Sequence, residues 1–274
     1  MRLTAAVLAA WLVLGLIMAS RGAEVQQPPL YRMGVLATAN PRSTVFYRAF
    51  EERLRELGYA EGGNIAFEYR DAEGRVERLP GLARELVRLN VDAIVAATDL
   101  ATRAARGATQ TIPILIVGVN YDPVALKHVA TLARPGGDVT GLFFLLRELT
   151  AKRFQSLRSA VRSHAEALFV LESAVIYRAR REIADLALKQ RLPTSFAFRE
   201  YVDAGGLIAY GVSFPGMFRR IAEYADKILR GTKPADLPVE QPTQFGLVIN
   251  LKTAKALGLT IPPSLRMEAD HIVE

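Results

Sequence analysis

Three short stretches of the first half of the chain hold side chains able to do chemistry. They are Thr38, Ala39 and Asn40 in "ATAN", Thr98 and Asp99 in "ATDLA", and Asn120, Tyr121 and Asp122 in "NYDP". Each follows a run of Val, Ile, Leu and Ala, the pattern of a strand buried on both faces. Beyond the carboxyl end of a parallel strand is where open α/β sheets bind ligands. Hydroxyls and amides there orient a small molecule, and free N–H groups at the following helix can take a carboxylate. A carboxylate such as Asp99 or Asp122 can hold an ammonium. The set suits a small zwitterion such as an amino acid. Plainer roles stay open for each. Asp122 before Pro123 reads as a helix N-cap, Asp99 reads as a cap for its own helix, Tyr121 as loop packing, and Thr38 and Asn40 as turn residues.

Other chemistries lack their residues. No G-x-G-x-x-G follows a strand, and neither a phosphate-binding P-loop nor a G-x-S-x-G elbow occurs. His128, His164 and His271 stand far apart, with no second His or Cys at ligand spacing, so no zinc site is expected. No cofactor and no catalytic group is expected. Gly136-Gly137 in "LARPGGDVTG" precede a strand rather than a helix. They read as a turn out of a helix and not as a phosphate cradle.

The elements that must position these loops alternate along the chain. Apolar runs at 31–37, 64–70, 91–97, 112–119 and 138–144 alternate with helical patterns. The helices are expected at 43–59, capped by Ser43 and ended by Gly58, at 76–90, interrupted early by Pro80, at 100–109, and from Asp122 onward. This reads as a doubly wound α/β lobe over about 31–142. The second half is sparser. Helices are expected at 147–163, 178–191 and 216–231, and strands at 165–172, "PTSFAF" and 205–211, before a last strand and helix in "FGLVINLKTAKALGL".

The first 23 residues have the order of a secretory signal: Arg2, an apolar run from Leu3 to Met18, then Ser20-Arg21-Gly22. An uncleaved anchor is the alternative. The chain has no Cys, hence no disulfides and no N-terminal cysteine to carry a lipid. A periplasmic location follows as the expectation. The formal charge of +7 is spread over helix faces among Glu residues, which argues against a nucleic-acid track.

The strings "GVLATANPRSTVFYRAFEERLRELGYAEGGNIAFEYR", "TIPILIVGVNYDPVAL", "LARPGGDVTGL", "REYVDAGGLIAYG" and "ILRGTKPADLPVEQPTQFGLVINLKTAKALGLTIPPSL" resemble the bacterial ABC-transporter substrate-binding proteins that take aromatic amino acids. The resemblance covers nearly all of the chain after residue 23. It implies a type I periplasmic-binding fold, with two α/β lobes joined by crossovers and a ligand in the cleft. It also implies a non-enzymatic, monomeric protein that serves a membrane permease. Carried over by position, the first-lobe loops face the cleft from one side, and Tyr177, Arg199 and Tyr210 face it from the other. The expected division is a signal over 1–23, a first lobe of 24–142 plus part of 212–274, and a second lobe of 143–211.

Two departures stand out. After "DPVAL" the family usually has a glycine and a small residue, and here there are Lys127 and His128. The family also places about two βα units, on the order of fifty residues, where helix and strand abut here at Arg162-Ser163-His164. The second lobe is therefore expected to be truncated and its closure on a ligand weakened. Beside solute capture, the ligand-sensing module of an envelope signalling system has the same sequence features. A DNA-binding regulator would need a helix-turn-helix where the signal-like segment stands.

Overall fold

The computed structural model describes residues 30–39, 42, 44–160, 167–172 and 174–274. The signal-like segment 1–23, Asn40, the capping residue Ser43 and the junction at Arg162–His164 lie outside the described residues.

Strands β1 (Tyr31–Ala37), β2 (Ile65–Asp71), β3 (Ala93–Ala96), β4 (Ile114–Val119) and β5 (Val139–Phe144) form an all-parallel sheet in the order β2-β1-β3-β4-β5. The central residues of β1, β3, β4 and β5 are buried on both faces, which is why the sequence there runs largely apolar without alternation, whereas edge strand β2 is half-buried. Helix α1 (Val45–Glu56) follows β1, α2 (Leu79–Arg88) follows β2, and α3 (Asp99–Ala108) follows β3. Leu82, Leu86, Ala101 and Ala105 of α2 and α3 cover Leu36, Ile94 and Ile116 on one face of the sheet.

The second half contains α4 (Leu146–Ala160), β6 (Leu168–Phe169), α5 (Ala174–Arg178), α6 (Arg180–Lys189), β7 (Thr194–Phe196), α7 (Arg199–Asp203), β8 (Ile208–Gly211) and α8 (Phe214–Leu229). It ends with β9 (Gly246–Asn250), α9 (Leu251–Ala256), α10 (Pro263–Met267) and β10 (His271–Val273). The second sheet has the order β10-β9-β8-β7-β6, with β8 and β9 antiparallel and the other pairs parallel. It thus draws on residues 246–273 as well as on 143–211. Helix α8 returns to the first sheet. Phe218 and Ile221 pack with Phe50 and Leu54 of α1 over Val95, Leu115 and Val117. Arg53–Glu223 at 3.0 Å and Arg219–Glu56 at 2.7 Å tie α1 to α8, and the Tyr59 hydroxyl, just after α1, donates to Asp226 of α8 at 2.9 Å.

Several elements differ from the sequence reading. The helix expected from Asp122 onward is only a succession of turns. Lys127 adopts φ +57°, the left-handed region, and halts the helical turn that Asp122 and Pro123 begin. That is the position where the resembling family has its glycine, the residue that takes this conformation without strain. The strand expected at 165–172 pairs only at Leu168–Phe169. Helices α7 and α10 and strand β10 were not expected. They are three to five residues long, too short to show a period. Pro80 stands in the first turn of α2, where its missing N–H costs nothing, and so does not interrupt it.

Candidate functional site

A cavity of about 800 Å³ opens between the carboxyl ends of the two sheets. Its size is that of a small-molecule site. From the first sheet it takes Ala37, Thr38 and Ala39 after β1, Ala97, Thr98 and Asp99 after β3, and Val119, Asn120 and Tyr121 at the end of β4. From the second it takes Glu172 after β6, Tyr177, Arg178, Arg180 and Arg181 around α5 and α6, and Phe198, Glu200 and Asp203 around α7. The first turn of α1, with Phe46 and Tyr47, and Phe214 of α8 complete the wall.

An aromatic surface links the two sides. Phe46 meets Tyr177 at 5.8 Å and Phe214 at 4.9 Å between ring centroids, both edge-to-face. Phe198 stacks on Phe214 at 4.8 Å, and Tyr177 touches Phe198 at 6.5 Å. Such pairs add about 0.5–1.5 kcal/mol each beyond the area they bury. Burial pushes the Tyr177 phenol far above its ordinary value, so this ring is a neutral, apolar surface with a donor tip.

The residues singled out from sequence fall into two groups. Thr38, Ala39, Thr98, Asp99, Asn120, Tyr121 and Tyr177 come together in the cavity. Asp122, Arg199 and Tyr210 do not line it. The Asp122 carboxylate accepts hydrogen bonds from the Val124 and Ala125 amides at 2.8 and 3.2 Å, which is the capping role. Arg199 pairs with Asp203 at 3.2 Å and reaches His271 at 3.0 Å. Tyr210 stacks on Phe245 at 6.3 Å.

Within the first group, several polar atoms are already engaged. Thr98 is the N-cap of α3, its hydroxyl accepting from the Ala101 amide at 3.2 Å, so Asp99 is not the cap. Asp99 instead accepts from Arg103 and bonds the ring of His128 at 2.7 Å. His128 is buried and stands edge-on to Tyr121 at 5.9 Å. Asn120, at φ +61°, uses its side-chain oxygen to accept from the Leu146 amide at 2.9 Å and so pins the crossover from β5 to α4. Burial raises the Tyr121 phenol well above its usual range, and its hydroxyl stands 3.4 Å from that of Thr102.

Sequence reasoning missed Phe46, Phe198, Phe214, Glu172 and Glu200. The aromatic residues carry no separate signal, because a ring lining a cleft and a ring in a core have the same spacing. Glu172 is the one that could have been noticed, as a lone carboxylate directly after the apolar run "ALFVL".

Glu172 belongs to a polar cluster beneath the cavity floor. Its Oε2 accepts from the Tyr201 hydroxyl at 2.8 Å. Arg153 of α4 is fully buried. Its Nη2 donates to the carbonyls of Val170 and Ser195 at 2.8 and 3.1 Å, and its guanidinium lies 4.2 Å from the Phe169 ring. Arg153 Nε and Nη1, Ser156 Oγ, Glu172 Oε1 and Ser195 Oγ have no hydrogen-bond partner among the described residues. Burial pushes the Glu172 carboxyl up to about 7, against the opposing pull of Tyr201 and the Arg153 charge. Burial likewise lowers the Arg153 guanidinium, to about 10.

The model of the ABC transporter substrate binding protein family matches residues 39–143 and 144–273. The chain belongs to this family. Its members bind substrates and are not enzymes. A tyrosine-binding protein of Clostridioides difficile (strain R20291) is 22% identical over 276 aligned positions, covering 82% of this chain and 78% of that protein. The crystal structure of an ABC domain from Streptococcus pneumonia in complex with L-Trp matches with a TM-score of 0.75 at 20% identity, over 89% of this chain and 99% of that one. A conserved domain protein from Vibrio cholerae matches with a TM-score of 0.73 at 25% identity, over 88% and 99%. These structures share the two-sheet α/β fold. Among the described residues no helix is long and apolar enough to cross a membrane.

Proposed function

We propose that this substrate-binding protein works in the periplasm, captures an aromatic amino acid in the cavity between its two sheets, and delivers it to the membrane permease of an ABC importer. The observation that carries the reading is the aromatic wall of Phe46, Tyr177, Phe198 and Phe214, set among polar groups at the carboxyl ends of both sheets. An indole or phenol ring finds apolar surface there, and the zwitterionic end finds hydrogen bonds and charge. The ligands of the tyrosine-binding relative and of the L-Trp complex support the same class. Isothermal calorimetry against the twenty amino acids tests it. Micromolar or tighter binding confined to Trp, Tyr and Phe is expected, and no binding of any of these three would sink the proposal.

The second lobe is, in this reading, a shortened one whose closure on the ligand is weakened. What supports it is that β6 is an edge strand of the second sheet, whereas β3 of the first sheet has β1 and then β2 beside it. The alignment with the tyrosine-binding protein is longer on that protein's side, which is in keeping with a shortened chain here. Since 82% of 274 residues is about 225, roughly fifty of the 276 aligned positions face no residue here. Small-angle scattering with and without tryptophan checks closure: a change in radius of gyration under about 0.5 Å is expected. Hinged domains elsewhere close measurably on ligand.

A further inference from the structure

The carboxylates expected to hold a ligand's ammonium from the first lobe are committed elsewhere. Asp122 caps a turn with two backbone amides, and Asp99 is tied to His128 at 2.7 Å and to Arg103 at 2.9 Å. Across the cavity two carboxylates are differently placed. Neither Glu172 nor Glu200 forms an ion pair among the described residues, although the charges of Arg180 and Arg199 act on Glu200 and that of Arg153 on Glu172. Both line the cavity beside Tyr177 and Phe198; the Arg180 guanidinium lies 4.9 Å from the Tyr177 ring, a cation already seated on this wall.

We infer that the charge sense of the site is set by the second lobe: Glu172 and Glu200 take the ammonium of the ligand, and Asp99 does not. Glu172 is held for this by Tyr201, which occupies its other oxygen, while Arg153 supplies an opposing charge from behind. Burial raises the carboxyl of Glu200 as it does that of Glu172, so both gain from a bound cation more than an exposed acid would. His128 is what ties up the carboxylate of Asp99. The buried imidazole occupies Asp99, at a position where the resembling family has a small residue. This inference rests on the reading of the ligand as an amino acid.

The test compares L-tryptophan with indole-3-propionate, its des-amino analogue, by calorimetry on the full chain. Wild type is expected to prefer tryptophan by at least about tenfold, the weight of one charge-assisted hydrogen bond. Glu172→Gln with Glu200→Gln should reduce that preference below threefold while indole-3-propionate binds as before. Asp99→Asn should leave it intact. Preference retained in the double variant, or lost in Asp99→Asn, overturns the inference alone. Failure of wild type to bind tryptophan, tyrosine or phenylalanine overturns the amino-acid reading and the inference with it. Glu200→Gln alone serves as the control for folding, since it leaves the Arg153–Glu172–Tyr201 cluster untouched. It should lower the preference by part of the full effect, and no change in it overturns the share assigned to Glu200.

Discussion

The two sheets are built from the same plan to different standards. In the first, strands of four to seven residues run parallel between two helical layers, and the three inner strands β1, β3 and β4 are buried and apolar at their centres. In the second, β6 has two residues and β7 three, and the sheet changes direction between β8 and β9. All the buried side-chain atoms without a hydrogen-bond partner lie on Arg153, Ser156, Glu172 and Ser195 of the second half, among the described residues. Exposed Leu171 (68%) and Leu186 (59%) are there too. A sheet that ends at a two-residue strand cannot cover its own edge. Buried Arg153 donates to the carbonyls of Val170 and Ser195 at this end of the sheet, adding to the Val170 amide that the Ser195 carbonyl already accepts. Stability is thus expected to concentrate in the first sheet and ligand discrimination in the second.

The largest expected effect tests the stronger side. Phe50→Ala removes a fully buried ring between α1 and the first sheet and should cost about 3–5 kcal/mol in denaturant unfolding. A loss below about 1 kcal/mol would contradict the first sheet as the main core. Arg153→Ala should cost about 3 kcal/mol, because it leaves two carbonyls and Glu172 without their cation. Its signature is local. Amides of 194–211 should lose hydrogen-exchange protection while those of 31–37 keep theirs, and uniform loss would show that the two sheets unfold as one.

The pH dependence sharpens the contrast further. Glu172 faces Arg153 of α4, Tyr177 of α5, and Glu200 and Tyr201 of α7, and its carboxyl is raised from 4.5 to about 7. An ammonium needs it ionised, so tryptophan affinity should fall as pH drops through 7, by up to about tenfold between pH 8 and pH 6. Stability runs the other way. The contribution of neutral Glu172 is present below its unfolded-state pKa and is lost as pH rises through 7. A flat affinity profile over this range would remove Glu172 from the site. The smallest effect falls on the first half: Lys127→Gly should stabilise by up to about 1 kcal/mol, read from the melting temperature, because glycine relieves the left-handed backbone at φ +57°.

Much of the first lobe was legible in advance. Near-continuous Val, Ile and Leu runs between amphipathic helices have few other solutions than a covered parallel sheet, and the loops after β1, β3 and β4 follow from that topology. The turns after Asp122 were not legible, because the sequence "DPVALKH" satisfies every helix-start rule and only the left-handed Lys127, with His128 drawn into the core, breaks it. The rings of Phe46, Phe198 and Phe214 were hidden for another reason. Periodicity distinguishes buried from exposed, and a cleft wall and a core are both buried.

The sequence by itself determined the class of fold, the family, and which loops lie at the mouth of the first sheet, since these depend on local pattern and connection order. Only the tertiary structure decided which carboxylates are free. Asp99 and His128 are 29 residues apart, and Glu172, Tyr201 and Arg153 come from three separate elements. A charge is free or spent according to what packs against it, and that is a property of contacts between distant segments.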